Sequence, residues 1–296
     1  MNTIAEYRLD IENIPKELII LICSSLSLKN LITFESVNYL FRNIIRTTKW
    51  NNLIVKLKNI SSIEYVINHY QFIKYDFRYS LITDAIVKHL GKCHTLYLSG
   101  CKQITDESVK LLGNYHTLDL SYCNKITDES VKHLGKCHTL ELTCCYQITD
   151  ESVKCLGNCH TIDLWGCHQI TDESVKFLGK CHTLNLCWCI KITDESVKLL
   201  RNCHTLYLSE CNQITDESVK HLGNCHKLNL GLCDKITDES VKFLGNCHTL
   251  DLRYCNKVTD ESVKYLGKCH ELHLRGCDKI TEATLIELRK TVKRLF

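Results

Sequence analysis

Cysteine and histidine are the residues of this 296-residue chain whose types and spacing could do chemistry. The chain contains 21 cysteines and 15 histidines, and Cys-His pairs recur on a 22-residue period from Cys93-His94 to Cys269-His270, with Tyr115-His116 replacing one pair. A histidine beside a cysteine can activate the thiol as a nucleophile. Thiolates and imidazoles are also preferred zinc ligands. The pairs therefore have to be weighed as a catalytic centre and as a metal centre.

The regular repetition of the pairs argues against both centres. Enzymes use one site, and no lone Asp, Asn or Glu partner distinguishes one pair from the others. Zinc needs ligands that converge at about 2.3 Å, whereas equivalent cysteines of successive repeats point the same way. Disulfides are not expected without a signal peptide. We predict no catalytic residue, no metal and no cofactor, and cysteines that act as small buried residues. A Cys/His metal-binding protein remains the third functional alternative.

The 22-residue repeat that positions these residues is clearest in its Leu-x-Leu pair. The pair keeps nine registers without insertion or deletion, at 96/98, 118/120, 140/142, 162/164 (where Ile replaces the first Leu), 184/186, 206/208, 228/230, 250/252 and 272/274. Residues two apart on an extended strand point to the same side, so the pair predicts a strand with one buried face. The fixed period and the Leu-x-Leu-x-x-Cys core predict a leucine-rich-repeat solenoid.

The second half of the repeat, Thr-Asp-Glu-Ser-Val-Lys, predicts a short helix on the opposite side of the solenoid. In the first full repeat, Thr105 is the predicted N-cap, and Asp106 and Glu107 lie at the positive end of the helix. Gly113 is the predicted C-terminal cap. We expect about two turns, which must be held by stacking on neighbouring repeats because so short a helix is not stable alone.

The complete pattern LxLxxCxxITDxxVxxL, found over residues 82–288, resembles the cysteine-containing subclass of leucine-rich repeats. The resemblance implies an α/β fold, in which a curved solenoid carries parallel strands on its concave face and short helices on its convex face. We assign the solenoid to residues 81–296, including a C-terminal capping helix.

Residues 10–53 differ from the repeats, since they hold the only proline, no glycine, and apolar residues at helical spacing. The sequence Ile-Pro-x-Glu-Leu-x-x-x-Ile at 14–22 resembles the start of an F-box. This resemblance implies a three-helix module that docks on the Skp-type adaptor of a cullin-RING ubiquitin ligase. The residues that it places in or behind the adaptor interface are Ile14, Pro15, Leu18, Ile22, Leu26, Leu31 and Val37. The alternative is a helical cap without adaptor binding.

The remaining segments are a tail over residues 1–9 and a helical connector or cap over residues 54–80. The connector is too apolar for a flexible linker. Its strand half looks degenerate, because Lys74 and Asp76 fall at the Leu-x-Leu positions when the 22-residue period is extended backwards. A connector packed at both ends would hold the F-box rigidly on the solenoid.

Charge and hydropathy bear on the classes of partner. The formal net charge is +3, and the lysines recur beside acidic residues, which indicates a solvated face and no nucleic-acid partner. We expect neither membrane insertion nor secretion, because no run of 18 apolar residues and no signal-peptide pattern occurs. Near-identical repeats in a chain rich in Asn, Ile and Lys resemble the F-box repeat proteins of giant amoeba-infecting viruses. That resemblance implies a host adaptor, and a location in the host cytoplasm or nucleus.

Variation between repeats indicates where a target would bind. The exposed strand positions change while the framework does not, and exposed Trp, Tyr and Arg are typical interface anchors. Asp119, Glu141 and Asp163 form an acidic stripe, which predicts a partner with a basic or polar segment. Drift at solvated positions is the alternative explanation. The predicted target-binding residues are Tyr97, Asp119, Tyr122, Glu141, Asp163, Trp165, Asn185, Trp188, Tyr207, Asp251, Arg253 and Arg275.

The sequence therefore predicts a substrate-recognition subunit of an SCF-type ubiquitin ligase that performs no bond chemistry itself. The F-box would bind the adaptor, and the solenoid would bind an unknown target protein. The alternative is an interaction scaffold without ligase activity, or a viral decoy that occupies the host adaptor.

Overall fold

The computed structural model describes residues 14–57, 59–90 and 93–296. The predicted tail and residues 10–13 of the predicted F-box lie outside these ranges. The N-terminal part forms three helices, α1 (Lys16–Ser24), α2 (Leu28–Phe34) and α3 (Tyr39–Thr47). Side chains cap two of them, since Ser27 accepts a hydrogen bond from the amide of Asn30 and Asn38 accepts one from the amide of Phe41. The core of the three helices consists of Ile19, Cys23, Leu31, Phe41, Ile44 and Ile45.

A 12-stranded parallel sheet runs through the rest of the described chain. It begins with β2 (Val55–Lys56) and β4 (Lys74–Asp76), which follow β1 (Lys49–Trp50), α4 (Ile60–His69) and β3 (Gln71–Phe72). β1 and β3 pair with each other. The sheet continues through β5 to β13, which are Thr95–Tyr97, Thr117–Asp119, Thr139–Glu141, Thr161–Asp163, Thr183–Asn185, Thr205–Tyr207, Lys227–Asn229, Thr249–Asp251 and Glu271–His273. It ends at β14 (Arg294–Leu295), after α14 (Glu282–Thr291).

Each repeat returns to the sheet through one helical turn. These turns, α5 to α13, are Asp84–Val87, Asp106–Val109, Asp128–Val131, Asp150–Val153, Asp172–Val175, Asp194–Val197, Asp216–Val219, Asp238–Val241 and Asp260–Val263. The predicted N-cap is confirmed, because Thr105 accepts a hydrogen bond from the amide of Glu107. The helix has one turn, however, and the expected second turn is absent from this repeat. The architecture is α/β with alternating parallel strands and short helices, as predicted.

Strand register corrects the interpretation of residues 74–76. Lys74 pairs with Thr95 and Tyr75 pairs with Leu96, so the offset at this point is 21 residues rather than 22. A one-residue shift moves every side chain of a strand to the other face. Tyr75 and Phe77 therefore take the Leu-x-Leu positions and are buried. The sheet has already begun within the segment predicted as a connector, since Val55 pairs with Tyr75.

The repeat glycines serve close packing and not helix capping, which corrects the prediction for Gly113. The helix of that repeat ends at Val109, and its C-cap is Lys110 in the right-handed helical region. A β-carbon added to Gly113 would overlap the carbonyl oxygen of His133 in the next repeat. The same contact at Gly157 leaves 2.6 Å to the carbonyl oxygen of Phe177. Glycine is therefore needed where two backbones approach each other between repeats.

Candidate functional site

The cysteines of the Leu-x-Leu-x-x-Cys core recur every 22 residues from Cys101 to Cys277 and are part of the hydrogen-bonded frame of the solenoid. Each of these thiols donates to a main-chain carbonyl of the preceding repeat at 3.0–3.3 Å, as Cys123 does to Leu98. Burial raises the pKa of Cys123 to about 12. A buried thiol with so high a pKa is a poor nucleophile. The described residues contain no group of three or more His, Cys, Asp or Glu side chains placed to hold a metal ion.

The histidines of the Cys-His pairs, together with His116 beside Tyr115, form a continuous column. Nine imidazole rings, from His94 to His270, stack face to face with 4.4–4.6 Å between ring centroids. Burial, together with the neighbouring His94 and His138, lowers the pKa of His116. A protonated ring would be repelled by protonated neighbours at this spacing, so the stacking favours the neutral form of His116. The stacking was not among the predictions, although the fixed 22-residue period of the histidines indicated it.

A ladder of aspartates links each helical turn to the next repeat. The two carboxylate oxygens of Asp106 accept from the amide of Thr127 at 2.9 Å, the hydroxyl of Thr127 at 2.7 Å and the hydroxyl of Ser130 at 2.5 Å. The same three bonds recur from Asp84 to Asp238. These aspartates were predicted only to interact with the helix dipole. The unchanging Thr-Asp-x-x-Ser spacing was the signal that could have predicted the bonds between repeats.

The three-helix module presents an apolar surface to solvent, and this surface is the first candidate binding site. Of the predicted adaptor residues, Leu18, Ile22 and Val37 are each about half exposed, at 50%, 49% and 52%. Leu31 is fully buried in the core of the module, so it can support the surface but cannot form it. Ile14 and Leu26 are partly buried, and Pro15 is exposed. Two further exposed residues, Leu21 and Tyr39, enlarge the surface beyond the predicted set.

A buried polar network joins this module to the first strands of the solenoid. The carboxylate of Glu35, which follows α2, accepts from Arg46 on α3 at 2.9 Å and from the hydroxyl of Tyr70 at 2.9 Å. Burial raises the pKa of Glu35, but the bonds from Arg46 and Tyr70 outweigh that effect and lower it overall. The indole of Trp50 donates to the carbonyl of Ile45 at 2.9 Å. These contacts fix the three helices against α4 and β1.

The second candidate site is the solvent face of the parallel sheet, which is the face predicted to be concave. Several of its polar residues have a structural role. Asp119, Asp163 and Asp251 each accept a hydrogen bond from the amide two residues further on, at 2.9–3.0 Å, and Asn185 does so at 3.1 Å. Asx turns of this kind end the strand and explain why Asp or Asn recurs there. Their part in target binding stays a prediction.

Glu141 is the exception on this face. Its carboxylate makes no hydrogen bond or ion pair with any described residue, although the side chain is half-buried. Burial, followed by the neighbouring carboxylates of Asp119 and Asp163, raises the pKa of Glu141 to about 7. At the C-terminal end of the face, Arg253 bonds to Asp251, whereas Arg275 is exposed and has no ion-pair partner among the described residues.

Two of the predicted target-binding aromatic residues have a strained backbone, as do five other non-glycine residues of the described chain. Tyr122 and Trp188 have φ values of +60° and +63°, at a position where Gly100, Gly166 and Gly276 occur in other repeats. A non-glycine residue in this region costs roughly 1 kcal/mol or more, so glycine would be easier to accommodate. Both rings remain exposed. Tyr97, Trp165 and Tyr207 are half-buried on the same face, so the sheet brings the predicted target-binding residues onto one surface.

Comparisons with known proteins agree with this architecture. The leucine-rich repeat family model matches residues 116–135 and 248–267. The fold is similar to a chain of the yeast Rad7 and Elc1 complex, with a TM-score of 0.65, 14% identity, and coverage of 96% of this chain and 83% of that one. It is also similar to an internalin from Listeria monocytogenes, with a TM-score of 0.52, 16% identity, and coverage of 95% and 93%.

A chain of the TLR13–ssRNA13 complex has a TM-score of 0.57 and 19% identity, covering 75% of this chain and 35% of that one. No curated protein matches the sequence. At these identities the likeness establishes the fold of a leucine-rich-repeat solenoid and confirms the predicted α/β fold class. The F-box and viral resemblances stay predictions.

Proposed function

We propose that this chain is the substrate-recognition subunit of an SCF-type cullin-RING ubiquitin ligase and performs no bond chemistry of its own. The N-terminal module would bind a Skp-type adaptor, and the solvent face of the sheet would bind a target protein. The observation that carries the proposal is an exposed apolar surface on three helices that are fixed to a repeat solenoid. The similarity in fold to a chain of the yeast Rad7 and Elc1 complex, which covers 96% of this chain, supports a role in a protein complex.

The apolar surface has the composition that adaptor docking needs. Leu18, Leu21 and Ile22 lie on α1, and Val37 and Tyr39 lie at the start of α3. Apolar side chains with this exposure, from 49% for Ile22 to 80% for Tyr39, bury well in a groove on a partner.

The rigid join gives the proposed function its mechanism. An adaptor and a target held on one frame keep a fixed separation, which raises the effective concentration of a target lysine near the ubiquitin-conjugating enzyme. The network of Glu35, Arg46 and Tyr70 is the part of the frame that fixes the two surfaces relative to each other. No helix in the described ranges is long and apolar enough to cross a membrane. We place the complex in the host cytoplasm or nucleus, in line with the viral resemblance.

Adaptor capture tests the proposal with a matched pair of variants. Leu18→Glu places a charge in the apolar surface, and Leu111→Glu makes the same change at an equally exposed leucine on the helical side of the solenoid. We expect Leu18→Glu to weaken capture of purified Skp-type adaptor at least tenfold, because a charge would be buried against an apolar groove. Leu111→Glu should leave capture unchanged. Equal capture by the wild type and both variants would show that the module is only a cap for the solenoid.

Ubiquitin transfer separates the ligase from its alternatives. A substrate receptor supports ubiquitination of a bound target when the adaptor, cullin and RING subunits are supplied. A decoy captures the adaptor but yields no ubiquitinated target. A plain scaffold does not capture the adaptor and yields no ubiquitinated target. Affinity capture through the adaptor, followed by mass spectrometry, would identify the target.

A further inference from the structure

The carboxylate of Glu141 is available for a ligand in a way that its neighbours are not. On the preceding strand, Asp119 accepts a hydrogen bond from the amide of Ser121. On the following strand, Asp163 accepts from the amide of Trp165, the hydroxyl of Thr143 and the side chain of Asn185. Glu141 lies between them in the ladder and has no such donor among the described residues. A half-buried carboxylate without a hydrogen bond is costly unless a partner supplies the donor.

An aromatic residue follows each of the two strands that adjoin the strand of Glu141. Trp165 lies two residues beyond Asp163, where the following strand ends, and Tyr122 lies three residues beyond Asp119, where the preceding strand ends. The ring of Tyr122 is exposed to solvent. Aromatic faces beside a carboxylate suit a cationic side chain, because they attract the charge and also cover the aliphatic part of Lys or Arg.

We propose that this face binds an extended basic segment of a protein target, in which a lysine or arginine side chain lies over Glu141 and packs against Trp165 and Tyr122. The inference rests on the proposed function, since it names the chemistry of the target for the same surface. The neighbouring carboxylates of Asp119 and Asp163 add to the negative potential at this point and so complement a positive charge.

The length and polarity of the face fit an extended segment. Tyr97 and Tyr207 lie five repeats apart on either side of Glu141, which at about 4.8 Å per strand spans roughly 24 Å, or about seven extended residues. The exposed Arg275 lies six repeats beyond Glu141 and repels a cation there. The basic part of the target therefore belongs over the first repeats of the solenoid and not over the last.

Binding of a cation must also displace a proton. With a pKa of about 7, Glu141 is partly protonated at neutral pH, and a cation above it favours the charged form. The charged groups that face Glu141 are Asp119 and Asp163 on the adjoining strands and Arg78, which lowers its pKa. Affinity should therefore rise from pH 6 to pH 8 in the wild type, and the part of this rise due to Glu141 should vanish in Glu141→Gln.

Calorimetric titration of the full chain with heptalysine tests the inference. Glu141→Gln and Glu195→Gln each remove one negative charge, but Glu195 lies on the helical side and pairs with Lys198. We expect Glu141→Gln to weaken heptalysine binding about five- to tenfold and to flatten its pH dependence, and Glu195→Gln to change it less than twofold. Glu141→Gln should fold normally, because no described contact depends on its charge, and thermal unfolding verifies this.

Three results would overturn the inference. Equal weakening by the two variants would mean that heptalysine responds only to net charge. Absence of heptalysine binding to the wild type would exclude a basic segment at this face. Binding of Ca²⁺ or Mg²⁺ that depends on Glu141, without heptalysine binding, would assign the carboxylate to a metal ion. Failure of adaptor capture is a separate result, because the adaptor variants lie on the N-terminal helices.

Discussion

The aspartate ladder should determine the stability of the solenoid, and Asp172→Ala in the middle of the chain tests this most directly. The carboxylate of Asp172 accepts from the amide of Thr193 at 2.9 Å, from its hydroxyl at 2.6 Å, and from the hydroxyl of Ser196. Ser196 is buried. The substitution therefore removes three bonds between two repeats and leaves a buried hydroxyl and an amide without their acceptor.

The expected loss can be worked from these contacts. A hydrogen bond to a charged group contributes about 1.5–3 kcal/mol, but bonds to one carboxylate are not additive and Asp172 itself is half-buried. We therefore expect about 2–3 kcal/mol of lost stability. Because each repeat contacts only its neighbours, the loss at one interface should also broaden the unfolding transition by uncoupling the two halves of the solenoid.

Urea unfolding followed by circular dichroism measures the effect, with two matched controls. Glu173→Ala alters the adjacent residue, whose exposed carboxylate pairs with Lys176, and should leave the midpoint nearly unchanged. Asp260→Ala lies at the end of the ladder, where the acceptor bonds only to the exposed Thr281, and should cost less than Asp172→Ala. Equal midpoints for the Asp172 and Glu173 variants would refute the reasoning.

The pH dependence of the same variant has a defined sign. Burial raises the pKa of Asp172, but the bonds from Ser196 and Thr193 outweigh this and hold it below the ordinary value. The folded carboxylate is thus a weaker base than the unfolded one. Its stabilisation is present above the unfolded pKa of about 3.9 and is lost as the pH falls through the lower folded pKa. The difference between the wild type and Asp172→Ala should shrink in that acidic range.

Three further predictions concern packing, the join and the histidine column. Gly157→Ala should destabilise the chain by about 1–3 kcal/mol in urea unfolding, because its methyl group would lie 2.6 Å from a carbonyl oxygen of the next repeat. Gly231→Ala should cost less, because the nearest atom to its methyl group would be the side-chain oxygen of Asn229 at 3.3 Å. Tyr70→Phe removes the hydrogen bond to Glu35 and should lower the free energy of unfolding by about 1 kcal/mol. Limited proteolysis should then cleave the chain between the module and the solenoid more rapidly than in the wild type. Thermal unfolding should show stability falling as the pH drops below about 6.5. Folding lowers the pKa of His116, so the unfolded chain binds more protons than the folded chain in this range. A stability that does not change with pH would contradict this prediction.

The repeat, the inward strand residues and the capped helix could all be predicted from the amino-acid sequence. Leu96 and Leu98 are buried and pair in register with the next repeat, as their spacing of two requires. Thr105 caps its helix because a side-chain oxygen at that position satisfies a free amide without help from distant residues. These features follow from local geometry, and the sequence repeats the Leu-x-Leu pair in nine registers.

The tertiary structure decided what depends on the contact between one repeat and the next. The offset of 21 residues that places Tyr75 in the core is set by strand pairing, which the period of the later repeats could not reveal. Gly113 is required by a backbone in the following repeat, and Asp106 bonds across the same interface. Glu141 and Asp119 look alike in a sequence, but only the hydrogen bonds show which carboxylate the fold already uses. Contacts between residues about 22 positions apart are specified by stacking, so they appear only when the repeats are brought together.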